Sequence, residues 1–259
     1  MNIEEYKARR ASLVEPTYRE TCPKCWKAVP TCFCAKLRPF TSPVSFVIIQ
    51  HLDEARNPIA TARMAHLSIT NSKLIMDNDF SDNKEVCDLL LNTQYRNIIL
   101  YPSPDAMPIE QLFSESAPSI DSCVPTTTEQ DTRPLVFWVL DTTWSHVPKM
   151  LRLSPSLRSI PMVKFTPEEA SRFQIRKQPN PHCLSTIESI YLVIERFLKH
   201  HNLKMTEHQA LIEVFQFMVE QQIEYGRIKN NTRHQATRAA RATRARKKKN
   251  AMKVHDNVV

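Results

Sequence analysis

Three short runs along the chain are apolar without alternation: Val44-Ser45-Phe46-Val47-Ile48-Ile49-Gln50, Asn97-Ile98-Ile99-Leu100-Tyr101 and Leu135-Val136-Phe137-Trp138-Val139-Leu140. The second is stopped by Pro102 and the third by Asp141. A strand with one wet face alternates apolar and polar residues, so a continuous β-branched and aromatic run predicts a strand covered on both faces. Between the runs, Ile59–Leu67 and Lys84–Leu91 have helix-like composition. Buried strands separated by helix-length segments predict an α/β fold with a mostly parallel sheet. Residues 102–134, dense in Pro, Ser, Thr and Asp, contain a loop or insertion.

The C-terminal third changes period. Ile187, Ile190, Tyr191, Ile194 and Leu198 recur at three- and four-residue spacings, and so do Leu211, Val214, Phe215, Met218 and Ile223, which predicts two amphipathic helices. Thr206 and Gln209 have the spacing of a capping box that would open the second helix, and Gly226 is placed to close it.

Composition narrows the chemistry. Gly226 is the only glycine among 259 residues. The dinucleotide fingerprint and the P-loop need glycines where backbone turns tightly against phosphate, so neither is present, and the same lack argues against the glycine-rich loop of Rossmann-type methyltransferases. From Arg227 onward there are eleven lysines and arginines against one aspartate, a net of +10 in a chain of +8, which leaves residues 1–226 at −2. Such an arm on a nearly neutral body suits nonspecific attraction to a polyanion, or it is a solvated tail that aids solubility. The start of the chain lacks an apolar signal segment, and no apolar run approaches the length of a membrane span. The expectation is therefore a soluble, cytoplasmic protein with no membrane association and no obligate protein partner. Its organisation reads as a four-cysteine module over 1–40, a catalytic domain over 41–226 and a basic disordered tail over 227–259.

Candidate chemistry gathers at three places. Cys22, Cys25, Cys32 and Cys34 offer four thiolates within thirteen residues, enough for a closed tetrahedral zinc site, although the Cys32-x-Cys34 half is tighter than the usual gap. The alternative is four reduced structural cysteines. Cys87, Cys123 and Cys183 are isolated and suit buried apolar roles. After the third run, Asp141-Thr142-Thr143-Trp144 puts an acid and an aromatic at the carboxyl edge of the expected sheet, where ligands of open α/β folds bind. Asp141 is equally explained as a helix N-cap and Trp144 as a core aromatic. Finally, Ser185 and Glu188 have capping-box spacing, while the helix start they would cap is also an anion site. His51, His66 and His182 show no repeated ligand spacing.

Taken in order, the four clustered cysteines, Gln50-His51 with Glu54, Leu100-Tyr101-Pro102, Asp141-x-Thr143-Trp144 and Leu184-Ser185-Thr186-x-Glu188 resemble the DTW-domain family of tRNA-uridine aminocarboxypropyltransferases, over roughly residues 20–225. The resemblance implies a SPOUT-like α/β sheet with a C-terminal knot. It also implies transfer of the 3-amino-3-carboxypropyl group of S-adenosylmethionine to N3 of a tRNA uridine, giving 3-(3-amino-3-carboxypropyl)uridine and methylthioadenosine. Tyr101, Pro102, Ser103, Thr143, Trp144, Leu184, Ser185 and Thr186 would wrap the cofactor. Asp141, or second Glu188, would act on the uridine proton, and the cysteines would hold structural zinc. Arg176, Lys177, Arg241, Arg244, Arg246 and Lys247 would hold tRNA phosphates. A SPOUT-type RNA methyltransferase and a zinc-containing RNA-binding protein without chemistry are the competing expectations. Thr142 and Ser103 stand where the family often has glycine, so a turn needing positive φ would be strained there.

Overall fold

The computed structural model describes residues 20–115, 131–176 and 178–228. Six strands, β1 Ser45–His51, β2 Ser72–Asp77, β3 Arg96–Leu100, β4 Met107–Pro108, β5 Leu135–Asp141 and β6 Met162–Lys164, form one sheet in the order β2-β1-β5-β3-β6-β4. Every pairing is parallel. The three apolar runs are the three central strands β1, β5 and β3, and both faces of each are covered.

Successive side chains of a strand point to opposite faces, and the two cores follow that rule. Phe46, Ile48, Ile98, Phe137 and Val139 face one core with helices Ala62–Ser68, Ile109–Glu115 and Thr186–His200 and the helical residues 209–228. Val47, Ile49, Ile99, Val136 and Trp138 face the other with helices Lys84–Leu91, Val147–Leu153 and Pro155–Arg158. The result is a sheet between two helical layers. Trp138 is fully buried, and its indole N–H donates to Asn97 Oδ1 at 2.9 Å, so that buried donor is satisfied.

Several local expectations are corrected. The segment 102–134, expected to contain a loop or insertion, carries β4 and the helix Ile109–Glu115; residues 116–130, Cys123 among them, lie outside the described part. The side chain of Gln209 does not reach back toward Thr206 but donates to Tyr191 Oη at 2.9 Å and Glu195 Oε1 at 3.1 Å, tying two helices together. Gly226 does not close its helix, which continues through residue 228, and no glycine has positive φ. Positive φ is confined to Trp26 and Asn202 among the described residues, so Thr142 and Ser103 adopt their turns without the strain expected of them.

The cysteine segment packs on the sheet's first core: Cys25 is 1% and Phe33 0% exposed, in one cluster with Phe46. Two short 3-10 turns, Val29–Thr31 and Cys34–Lys36, bracket Cys32. The helical residues 209–228 run back to this segment, where Arg38 pairs with Glu213 at 2.6 Å, the Lys36 ammonium lies over the Phe217 ring and Tyr225 Oη donates to the Pro30 carbonyl at 3.1 Å. No described helix is long and apolar enough to cross a membrane.

Candidate active site and metal centre

In a parallel sheet all carboxyl ends lie on one edge, and a crevice opens where neighbouring strands send their connections in opposite directions. Here that point lies between β1 and β5. The chain leaving β1 goes to β2 on one side, and the chain leaving β5 crosses β3 to β6 on the other. The register aligns Gln50 of β1 with Asp141 of β5 at that edge.

Asp141 is buried, at 6% exposure. Its Oδ2 accepts from Gln50 Nε2 at 2.7 Å, and its Oδ1 accepts from the Thr186 hydroxyl. Burial raises its pKa above the ordinary carboxylate value, opposed by the bonds from Thr186 and Gln50; the negative charge of Glu54 raises it further, and Arg176 lowers it. Gln50 Oε1 is buried with no partner, an acceptor beside the carboxylate waiting for a donor. Glu54 is also buried. Arg176 grips it through both terminal nitrogens, at 2.8 Å and 3.3 Å, and Asn57 Nδ2 donates to it at 3.2 Å.

Glu188 has a different environment. Its oxygens accept from Ser185 N at 2.8 Å, Ser185 Oγ at 2.6 Å, Ser171 Oγ at 2.9 Å and Arg172 N at 2.7 Å. The capping box at the start of Thr186–His200 is present, and the same carboxylate fastens residues 171–172 to it.

The remaining candidates divide. Thr186 meets Asp141, and Pro102 lies two residues past Leu100, the last β3 position paired with β5. Trp144 is 40% exposed rather than part of a core. Tyr101 and Ser103 border a cavity of about 590 Å³ with Arg152 and Arg158. Leu184 and Glu188 border another of about 670 Å³ beside Tyr191 and Glu195. Asp141, Thr143, Trp144, Ser185 and Thr186 line neither, and the converging hydrogen bonds locate the site better than these volumes do. Arg176 is committed to Glu54. Lys177, Arg241, Arg244, Arg246 and Lys247 lie outside the described residues. Cys183 is buried and Cys87 half-buried.

Sequence reasoning missed the work of Gln50, the Glu54–Arg176 pair and Lys27. The first was legible in principle, since Gln50 is the polar residue one short of the end of β1 and Asp141 ends β5. The pair joins residues 122 positions apart and leaves no local signal. Lys27 Nζ donates to the carbonyls of Pro58 at 2.6 Å and Asn57 at 3.3 Å, and burial lowers its pKa to about 8. These bonds bring the cysteine segment to the rim of the crevice.

The four cysteine Sγ atoms lie within 4.8 Å of one another and could hold a metal ion. Cys22 and Cys34 sulfurs are 3.7 Å apart and those of Cys25 and Cys32 3.6 Å, too far for disulfides and close to the edge of a tetrahedron with metal–sulfur bonds of about 2.3 Å. Backbone N–H groups of Cys25 and Lys24 draw the Cys22 pKa down to about 6, while burial and the surrounding thiols push that of Cys34 up. Four thiolates at this spacing repel one another unless a cation is shared among them.

A family model described as "DTW domain" matches residues 19–223. Three relatives share the name tRNA-uridine aminocarboxypropyltransferase 2. The Drosophila melanogaster protein is 28% identical over 180 residues, covering 67% of this chain and 65% of its own length. The Macaca fascicularis protein is 26% identical over 221 residues, covering 82% and 67%, and the Mus musculus protein 24% identical over 212 residues, covering 80% and 65%. This chain thus spans just under two thirds of the length of the fly and mouse relatives. No solved structure matches it.

Proposed function

Because this chain belongs to the DTW-domain family, we propose that it is a tRNA-uridine aminocarboxypropyltransferase, acting on N3 of a tRNA uridine with S-adenosylmethionine as donor. The observation that carries the reading is the buried Asp141 at the switch point of the sheet, with its pKa raised and the unpartnered Gln50 Oε1 beside it. A buried carboxylate with raised pKa is a stronger base than a solvated one, which suits removal of the weakly acidic uridine N3 proton.

The residues present fit the donor. Gln50 Oε1 lacks a partner that an ammonium N–H would supply, the start of Thr186–His200 offers backbone N–H groups to a carboxylate, and Trp144 has an open face for adenine. S-adenosylmethionine held there would supply an electrophilic γ-carbon, the new N3–carbon bond replacing the carbon–sulfur bond, with methylthioadenosine as the leaving group that keeps the electron pair. Asp141 takes the N3 proton. Thr186 and Gln50 hold the carboxylate in place, and Arg176 balances the charge of Glu54 so that two buried acids do not confront each other. Glu188 shapes the loop and helix start, so Asp141 is preferred as the base. Phosphate contacts fall to Lys177 and to Arg241, Arg244, Arg246 and Lys247 of the arm. The cysteines would hold zinc in a closed site without an open position for substrate. The organisation into 1–40, 41–226 and 227–259 and a cytoplasmic setting, where thiols stay reduced, belong to this proposal.

We propose the SPOUT-type knot as well. What supports it is the link from β3 to β4, residues 101–106, which bridges the carboxyl end of β6, the strand seated between them. Lys164 Nζ at that end donates to the carbonyls of Ser103 at 3.3 Å and Pro104 at 3.1 Å, which ties the bridge to the carboxyl end of β6.

The test is the mass of tRNA nucleosides after incubation with the protein and S-adenosylmethionine. A uridine carrying an aminocarboxypropyl group, lost with Asp141→Asn, is the expected result. A methyl adduct would favour a methyltransferase, and tRNA binding without any adduct a noncatalytic RNA-binding protein.

A further inference from the structure

Trp26 is placed at a cost. It follows Cys25 in the turn closed by Trp26 N to Cys22 O and Cys22 N to Lys27 O, both 2.8 Å, and its φ is 60°. A bulky residue in the left-handed region is strained, and glycine or asparagine would take this turn more easily. Burial does not offset the strain, since the indole is 49% exposed. One face is occupied: the Arg63 guanidinium carbon stands 3.2 Å from the ring centroid.

Arg63 fixes where this stack lies. Its Nη2 donates to Met76 Sδ at 3.5 Å, and Met76, Gln50 and Asp141 form one row across β2, β1 and β5. Two strand spacings put Met76 about 10 Å from Asp141, a span of about three stacked nucleotide steps. The neighbouring Lys27 donates to the carbonyls of Asn57 and Pro58, and Asn57 in turn donates to the buried Glu54. An exposed aromatic face backed by a cation, at the rim of a site for a base in RNA, matches the arrangement by which proteins hold unpaired bases.

We infer that Trp26, braced by Arg63, is a stacking platform for an unpaired nucleobase of the RNA that flanks the target uridine. The inference rests on the RNA substrate proposed above and gives the cysteine segment a second role, because that segment carries Trp26 to the rim and holds it in a backbone conformation that a bulky side chain otherwise disfavours. Stacking reads a π face and not a base edge, so the platform fixes the depth of the loop in the crevice without selecting sequence.

Full-length wild type, Trp26→Phe, Trp26→Leu and Arg63→Met proteins are compared for binding to a labelled tRNA transcript, with metal content and melting temperature measured on the same preparations. Leu keeps apolar bulk but has no π face, so Trp26→Leu is expected to bind roughly five- to a hundredfold more weakly, while Trp26→Phe recovers most of the affinity. Arg63→Met, which leaves the cysteine segment intact, weakens binding in the same direction by a smaller factor. Wild-type affinity in Trp26→Leu overturns the inference while leaving the RNA reading in place. If Trp26→Leu loses metal or melts early, Arg63→Met decides, and unchanged affinity there overturns it. A wild-type protein that neither binds nor modifies tRNA would fail the RNA reading itself.

Discussion

Asp141 and Glu188 are both buried acids near the start of one helix, and their hydrogen bonds separate them. Glu188 accepts two backbone N–H groups that cannot turn away, from Ser185 and Arg172. An amide nitrogen facing either would set donor against donor, so Glu188→Gln is expected to lose about 1–3 kcal/mol, seen as a lower melting temperature. Asp141→Asn keeps an oxygen for Gln50, and the Thr186 hydroxyl can rotate to accept instead of donate. The variant should fold, and with Asp141 as the base it should lose roughly two to four powers of ten in single-turnover rate. Its stability carries a sign as well. Because the folded pKa of Asp141 is raised, the native state holds this proton more tightly than the unfolded chain does; the resulting stability is present at acid pH and is lost as pH rises through the folded value. Asp141→Asn removes that loss, so its melting temperature should rise relative to wild type as pH climbs from below the ordinary carboxylate range to neutrality. A wild-type rate in the variant would remove Asp141 from the chemistry. Asp141 was legible because a strand ends on it, whereas its partner Gln50 looked like the polar end of a run, and Arg176, read as a phosphate contact, is paired with a residue 122 positions away.

Elements with two buried faces wrote themselves into the sequence; edge elements did not. β1, β3 and β5 match the apolar runs within about a residue because both neighbours and both layers demand apolar side chains. β2 is an edge strand with one buried residue in six, β6 has three residues and β4 two, too few for any period to show. The amphipathic helix Thr186–His200 was legible from its apolar stripe and capping box, while the partnership of Gln209 with Tyr191 and Glu195 depends on how two helices dock. The cysteine cluster was legible as four ligands in thirteen residues, but its packing against the core was not. That packing makes metal loss costly beyond the segment itself: without a cation the thiolates repel, and Phe33, fully buried beside them, loses its enclosure. One zinc per chain is expected by elemental analysis. Cys25→Ser with Cys32→Ser should abolish it, lower the melting temperature and open residues 20–36 to proteolysis. Well-folded protein purified without any bound metal would refute the site.

Across the whole molecule, the two ends of the described chain meet at the cysteine segment. Glu213 and Phe217 meet Arg38 and Lys36, Tyr225 meets Pro30, and the helix runs on to residue 228, so the basic arm begins beside that segment. The charge imbalance was visible from composition, but its point of departure required the fold, because the docking contacts span 175 to 195 positions. Cutting after residue 228 preserves the helix and removes residues 229–259, which hold ten lysines and arginines and one aspartate, a net of +9. Every phosphate that the arm no longer neutralises should flatten the dependence of log affinity on log salt by about 0.9 for duplex and about 0.7 for single-stranded regions of the RNA. The truncated protein should therefore bind tRNA more weakly at low salt, converge on the full chain as salt rises, and keep its affinity for S-adenosylmethionine, since nothing at the Gln50–Asp141 edge is removed. Titrations of both proteins at several salt concentrations read the slope directly. Equal slopes would mean that the arm neutralises no phosphate and that the body, net −2 through residue 226, holds the RNA by its own groups.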